Sequence, residues 1–260
     1  MTLIPTSLVA AEWTKLRSVR STPLLLAVAT VATIGIAVLQ ARSTVGAWDG
    51  WGARARAEFD PVFTTFTGFQ VAQPAFGLLG VLAVTAEYGT GTIRATIAAT
   101  PRRGRVLAAK LLVLGTVTLV TGQALALAAF SAGQFVLAGK HLDVTLGDPN
   151  VLRAVLGQGF YLGTVTILGA AIGTVLRHTA GATALTTGLL FLSTMIFKAI
   201  SPSGSTALIH WAPAAAAEGL TWTTFHDPDW PTAGFALVVC LTYLTVSVAA
   251  AAWRLTHRDV

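Results

Sequence analysis

Residues 111–138 read LLVLGTVTLVTGQALALAAFSAGQFVLA, without a single charged side chain. About 20 such residues in a helix cross the ~30 Å hydrocarbon core of a bilayer. This run exceeds that length, so it crosses with a tilt or extends beyond the bilayer. It is bounded by the most charged stretch of the chain, residues 87–110, and by a polar loop holding Lys140, His141, Asp143 and Asp148. Composition generalises the pattern. Of 260 residues, 54% are hydrophobic and 11% charged, and the mean hydropathy is +0.70. A soluble domain carries roughly 25% charged residues. The shortfall excludes most soluble enzymes and binding modules, and a chain this apolar is not disordered. The apolar runs are continuous rather than alternating, which argues against a transmembrane barrel. The expected fold is therefore an all-α membrane protein.

Six spans are expected, over residues 23–41, 63–86, 111–138, 151–176, 180–197 and 233–253, in one transmembrane domain covering 1–260. The first resembles a signal peptide, but Leu39-Gln40-Ala41-Arg42 offers no small-x-small cleavage site, so it reads as an uncleaved helix. Residues 1–22 precede it. Val9, Trp13 and Leu16 recur there at helical spacing, with Lys15, Arg17 and Ser18 mostly opposite. That pattern predicts an amphipathic helix on the membrane surface, weakened by Glu12 beside its apolar stripe. Before the sixth span, Trp211-Ala212-Pro213-Ala214-Ala215-Ala216-Ala217-Glu218 predicts a short helix dipping into the outer interface, with Trp211, Trp222 and Trp230 at headgroup level.

Charge sets the orientation. The side of both termini collects eleven of the seventeen cations: Lys15, Arg17, Arg20, Arg94, Arg102, Arg103, Arg105, Lys110, Arg177, Arg254 and Arg258. Only Glu12, Glu87 and Asp259 oppose them. The remaining six cations and eight acids fall on the other side. Positive charge retained inside places both termini in the cytoplasm. It also accounts for the net charge of +6 without a nucleic-acid partner.

Few motifs carry chemistry. Gly157-Gln158-Gly159-Phe160-Tyr161-Leu162-Gly163 has the glycine spacing of a dinucleotide fingerprint but lies inside an apolar span, without the strand that fingerprint requires. Gly159, Gly163, Thr166, Ala170 and Gly173 instead share a helical face, a small-residue stripe for helix packing. Gly139-Lys140 ends like a P-loop, but His141 stands where Ser or Thr is required. The chain thus supplies no site for nucleotide hydrolysis, and it is not expected to be an enzyme or to hold a cofactor or metal. The five histidines show no ligand spacing, and Ser203-Gly204-Ser205 lacks a nucleophile-elbow context. Cys240 reads as a small buried hydrophobe. The spans contain essentially no ionisable residue; Arg153 and Lys198 are expected to snorkel from outer ends. Gln70, Gln73, Gln123, Gln134 and Gln158 serve helix–helix hydrogen bonding or, alternatively, line a substrate path. A proton-coupled carrier would normally show a buried carboxylate.

One stretch is too elaborate for a simple turn: Glu87-Tyr88-Gly89-Thr90-Gly91-Thr92-Ile93-Arg94, continuing to Pro101-Arg102-Arg103-Gly104-Arg105. Gly89 and Gly91 permit a sharp change of direction. Residues 92–100 predict a short surface helix stopped before Pro101. Arg102, Arg103 and Arg105 would face anionic headgroups, at about 1 kcal/mol each.

That stretch, the leader Glu12-Trp13-Thr14-Lys15-Leu16-Arg17-Ser18 and the six spans together resemble ABC transporter permeases of the ABC-2 type, and among them the small six-span actinobacterial permeases. The resemblance implies a connecting helix at the leader and short re-entrant helices before the sixth span. Between spans two and three it implies a coupling helix that docks on a separate cytosolic ATP-binding cassette subunit. Glu87, Tyr88, Gly89, Thr90, Gly91, Thr92 and Arg94 would form that coupling contact, and Arg177-His178-Thr179 a second, smaller one. ATP and Mg would bind the partner, and a second permease chain would complete a homodimer or heterodimer in the bacterial plasma membrane. Export of a drug-like, peptide or lipid substrate is the expectation. An ATP-independent secondary transporter or channel is the alternative, and a membrane scaffold or sensor a third class.

Overall fold

The computed structural model describes residues 5–18, 21–99, 102–201, 207–224 and 231–257. The described residues form helices and turns, without a strand. Six helices are long and apolar enough to cross a membrane, so the chain is an all-α, multi-pass membrane protein. The expectations on Arg20, Thr100, Pro101, Ser203 to Ser205, Trp230, Arg258 and Asp259 lie outside the described residues.

Helix α1 spans Thr6–Ser18. The first membrane-length helix, α2, runs Ser21–Ala47, several residues past the expected end at 41. Arg42 therefore sits within a helix rather than a loop. A short turn and α3, Ala53–Ala57, lead to α4, Pro61–Phe66. The second expected span is broken: α4 stops at Phe66, and α5 resumes over Phe69–Gly89. Between them Gly68 lies so close to the carbonyl of Thr33 in α2 that a Cβ there would collide with it.

Helix α6, Thr92–Ala99, is the short helix expected between spans two and three. Next comes α7, Arg103–Leu137. It begins well before residue 111, so Arg103, Arg105 and Lys110 belong to the same rod as the apolar run that follows. Helices α8, Val151–Leu176, and α9, Thr179–Ile200, are joined by a tight turn. Arg177 adopts a left-handed conformation there (φ 58°) and its N–H bonds the Gly173 carbonyl at 2.8 Å, a helix-stopping geometry. His178 then caps α9, accepting from the N–H of Gly181 at 3.2 Å. Helix α10, Pro213–Thr221, is the alanine-rich helix expected behind a proline, and α11, Ala233–His257, closes the bundle.

Helix α8 is the hub, with α5, α7, α9, α10 and α11 all packed on it. The closest approach lies between α5 and α8. A Cβ at Gly80 would fall on the Thr166 carbonyl, and one at Gly169 on the Gly77 carbonyl. Most of the small-residue stripe expected on α8 meets neighbouring helices, Thr166 and Ala170 at Gly80 of α5. Gly159 meets Gln123 of α7, Gly173 meets Val81 and Thr85 of α5, and Gly163 has nothing nearer than ordinary contact. The outward faces of α2, α9 and α11 carry exposed Val31, Leu39, Leu192, Met195, Val238 and Val246. Apolar side chains facing outward suit a lipid environment.

Candidate functional site

The bundle has two dissimilar ends. One gathers α1, α6, the starts of α2 and α7, the ends of α5 and α11, and the α8–α9 turn. At this end four charged side chains from three helices converge.

Lys110 of α7 is the centre. Its Nζ donates to Glu12 Oε2 of α1, to Glu87 Oε1 of α5 at 2.7 Å, and to the Ala83 carbonyl at 3.3 Å. Lys15, one helical turn beyond Glu12, lies 2.6 Å from Glu12 Oε1 and 3.0 Å from Glu87 Oε1. Two cations and two anions thus alternate, with no net charge. Glu12, Glu87 and Lys110 are 3%, 7% and 8% exposed. Taking such groups from water costs several kcal/mol per ion unless each is paired, so the four positions depend on one another. Burial pulls Lys15 down, but hydrogen bonds to Glu12 and Glu87 outweigh it and its pKa lies above the ordinary lysine value. A cavity of about 260 Å³ opens beside the node, lined by Glu12, Lys15, Thr22, Ala86, Glu87 and Leu114 among others. Glu87 Oε2 is buried without a hydrogen-bond partner among the described residues.

This corrects two expectations. Glu12 does not weaken the inner face of α1; it is the buried residue of that helix, while Trp13 is 49% exposed. Glu87 and Lys110, expected in the loop outside the spans, lie instead within α5 and α7, because those helices run past the apolar stretches. A cue for Glu12 was present in its place beside the apolar stripe, but nothing local points to Lys110 as its partner.

The rest of the expected coupling stretch grows from the node. Gly91 takes φ 72°, the left-handed conformation that suits glycine, and turns the chain from α5 into α6. Gly89 has open space around it, so packing does not demand a glycine there. The hydroxyls of Thr90 and Thr92 lie 2.9 Å apart, and Thr92 Oγ1 donates to the Glu87 carbonyl at 3.5 Å. Lys15 Nζ also donates to Thr96 Oγ1 of α6 at 3.3 Å, so one lysine ties α1 to both α5 and α6. The Arg177 guanidinium sits 5.4 Å from the Tyr88 ring, and Thr179 Oγ1 donates to Thr85 Oγ1 at 2.9 Å. The α8–α9 turn is thereby fastened to the same end of α5. Arg94 lies within α6.

The basic cluster is split. Arg102 precedes α7 and is exposed. Arg103 departs from its expected place against headgroups, because it donates to the Leu255 carbonyl at 3.2 Å and holds the last turn of α11. Arg105 is partly buried in the first turn of α7.

The opposite end is held by polar contacts of another kind. Asp60 caps α4, accepting from the N–H groups of Val62 and Phe63 at 2.9 Å, and also accepts from those of Thr223 and Thr224 at 2.7 and 2.9 Å. Arg153 is engaged with α10. It donates to the carbonyls of Leu220 and Trp222 at 3.0 and 2.6 Å, satisfying the end of α10. Gln123 bonds the Leu156 carbonyl at 2.7 Å, and Gln134 bonds the Pro61 carbonyl at 3.2 Å. These two glutamines join helices to their neighbours, as expected. Gln73 does so through the Tyr161 hydroxyl at 3.2 Å, and with Gln70 and Gln158 it lines a cavity beside Glu218. Glu218, in α10 and outside the six long helices, is pushed up to about 7 by burial. The chain as a whole matches no model of a known protein family, and no curated protein matches it.

Proposed function

We propose that the chain is the membrane-spanning permease subunit of an ATP-binding cassette exporter of the ABC-2 type. In this reading it sits in a bacterial plasma membrane with both termini in the cytoplasm, pairs with a second permease chain, and is driven by a separate cytosolic ATPase subunit that binds ATP and Mg. The observation that carries the reading is the helix α6 joined to a buried four-charge node. A short helix between two long ones is an ordinary loop device. A short helix whose neighbour α1, whose leading strut α5 and whose trailing strut α7 share one buried ion network is a joint. Force applied to α6 from below passes into α5 and α7 as helix tilting, since packed elements move as rigid bodies. The α8–α9 turn, clasped to Tyr88 and Thr85, gives the same partner a second foothold.

Photo-crosslinking tests the contact. A photoreactive residue at Ala95, exposed on α6, is expected to capture in native membranes a protein bearing a nucleotide-binding P-loop. The same residue at Val31, 74% exposed on α2, should capture only lipid or a membrane-embedded chain. Absence of any ATP-binding adduct at Ala95, with normal insertion, would remove the basis for a coupling role.

The alternative, an ATP-independent secondary transporter or channel, is favoured by one observation: the partly buried Glu218 carboxylate. Titratable groups in such places mark ion and proton pathways. Either form remains a transporter, and the crosslinking outcome separates them.

A further inference from the structure

Glu218 lines a cavity of about 150 Å³ between α4, α5, α8, α9 and α10. At its floor, Gln158 is 2% exposed and makes no side-chain hydrogen bond among the described residues. Phe63 and Phe69 form its walls, with Gln70 and Phe191 at the exposed rim. Phe63 is fixed by stacking on Trp222, with ring centroids 4.5 Å apart. The Glu218 carboxylate forms neither an ion pair nor a hydrogen bond among the described residues. The nearby cation on α8, Arg153, directs its donors to the backbone of residues 219, 220 and 222 instead.

The Glu218 carboxylate and the Gln158 amide have no protein partner among the described residues, and their polar atoms are not among those sealed from solvent, so both are available to a group that enters the cavity. Burial raises the carboxyl's pKa only to about 7, so a substantial fraction remains ionised at neutral pH. Aromatic rings attract cations, and Phe63 and Phe69 line the cavity. Size narrows the ligand further. A cavity of about 150 Å³, open at its rim, takes a group the size of a benzene ring.

We propose that this cavity binds a small organic cation, a ring-sized aromatic or alkyl ammonium. Glu218 supplies the counter-charge, Phe63 and Phe69 the aromatic walls, and Gln70 and Gln158 the hydrogen-bonding groups. Only the description of that cation as a transported substrate rests on the proposed transport function.

The test uses the purified full chain in zwitterionic lipid nanodiscs, titrated calorimetrically with benzyltrimethylammonium against empty discs. Saturable binding is expected, weakened at least tenfold in Glu218→Gln. Phenylacetate, which carries the same ring with a negative charge, should not bind. Gln70→Glu adds a second carboxylate at the exposed rim, where packing is unaffected, and should tighten binding several-fold. Lack of saturable binding to the wild-type chain, equal affinity in Glu218→Gln, equal binding of phenylacetate, or no gain in Gln70→Glu overturns the proposal. Since no ATPase takes part, cation binding and the coupling role stand or fall separately.

Discussion

Lys110→Ala is expected to destabilise the folded chain by about 3–5 kcal/mol, the range for removing one partner of a buried ion pair. The reason is geometric. Lys110 touches both Glu12 and Glu87, and without it two buried carboxylates from different helices share only the half-exposed Lys15. One or both must then take up a proton or draw in water. The contact between α1 and the α5–α7 pair loosens in either case. Removing the three buried charges together should cost less than removing the centre alone, because only the partly exposed Lys15 is then left without a carboxylate. The triple variant Glu12→Gln, Glu87→Gln, Lys110→Met is therefore expected to survive heating in detergent better than Lys110→Ala, with the monodisperse fraction after a temperature series as readout. A triple variant as unstable as the summed single changes would show that the four charges act independently.

Gly80→Val is the second large effect, at about 3 kcal/mol or more. Overpacking a well-filled core ordinarily costs about 1–3 kcal/mol. Here the first added atom meets backbone rather than a movable side chain: the Thr166 carbonyl, with the Ala170 nitrogen 2.9 Å away. Backbone cannot rotate aside, so α5 and α8 must separate along the tightest seam in the bundle. In a membrane, close backbone approach between small residues is a principal source of helix association. Gly35→Val is the matched control. Gly35 lies in α2 with nothing within 4 Å of its added Cβ, and its replacement should change stability by no more than about 0.5 kcal/mol. Comparable losses in the two variants would show that the α5–α8 approach is not a determinant of the fold.

The number and order of the membrane helices were legible because hydropathy summed over about 20 residues is a strong signal. Their ends were less so. Arg42 and Arg103 read as loop residues by charge alone, yet a helix extending past the apolar run accommodates them. The close approach at Gly68 depends on where Thr33 of another helix lies, and sequence spacing holds no record of that. The stripe on α8 was legible as small residues on one face, but its partners were not; Gly77 and Gly80 carry half of the closest seam and belong to no stripe recognised in α5. The site shows the same division. Glu87 and the Gly91 turn stood out because local chemistry marks them. Glu12 and Lys110 lie 98 residues apart, and each alone looks like an ordinary charge near a membrane surface. Their pairing becomes visible only when α1 is laid across α7. Glu218 was read as an interfacial residue because a helix of alanines gives no hint of what surrounds it.

The central claim is that the end of the bundle bearing α6 and the four-charge node is where a cytosolic ATP-binding subunit attaches. Affinity purification of the tagged chain from gently solubilised native membranes tests it most directly. Retention of an ATP-binding cassette protein in a fixed ratio is expected, and its loss when Ala95 and Thr96 are both replaced by arginine while the chain itself remains monodisperse. A well-folded wild-type chain that retains no ATP-binding protein, or one whose partner stays bound to the arginine variant, would contradict it.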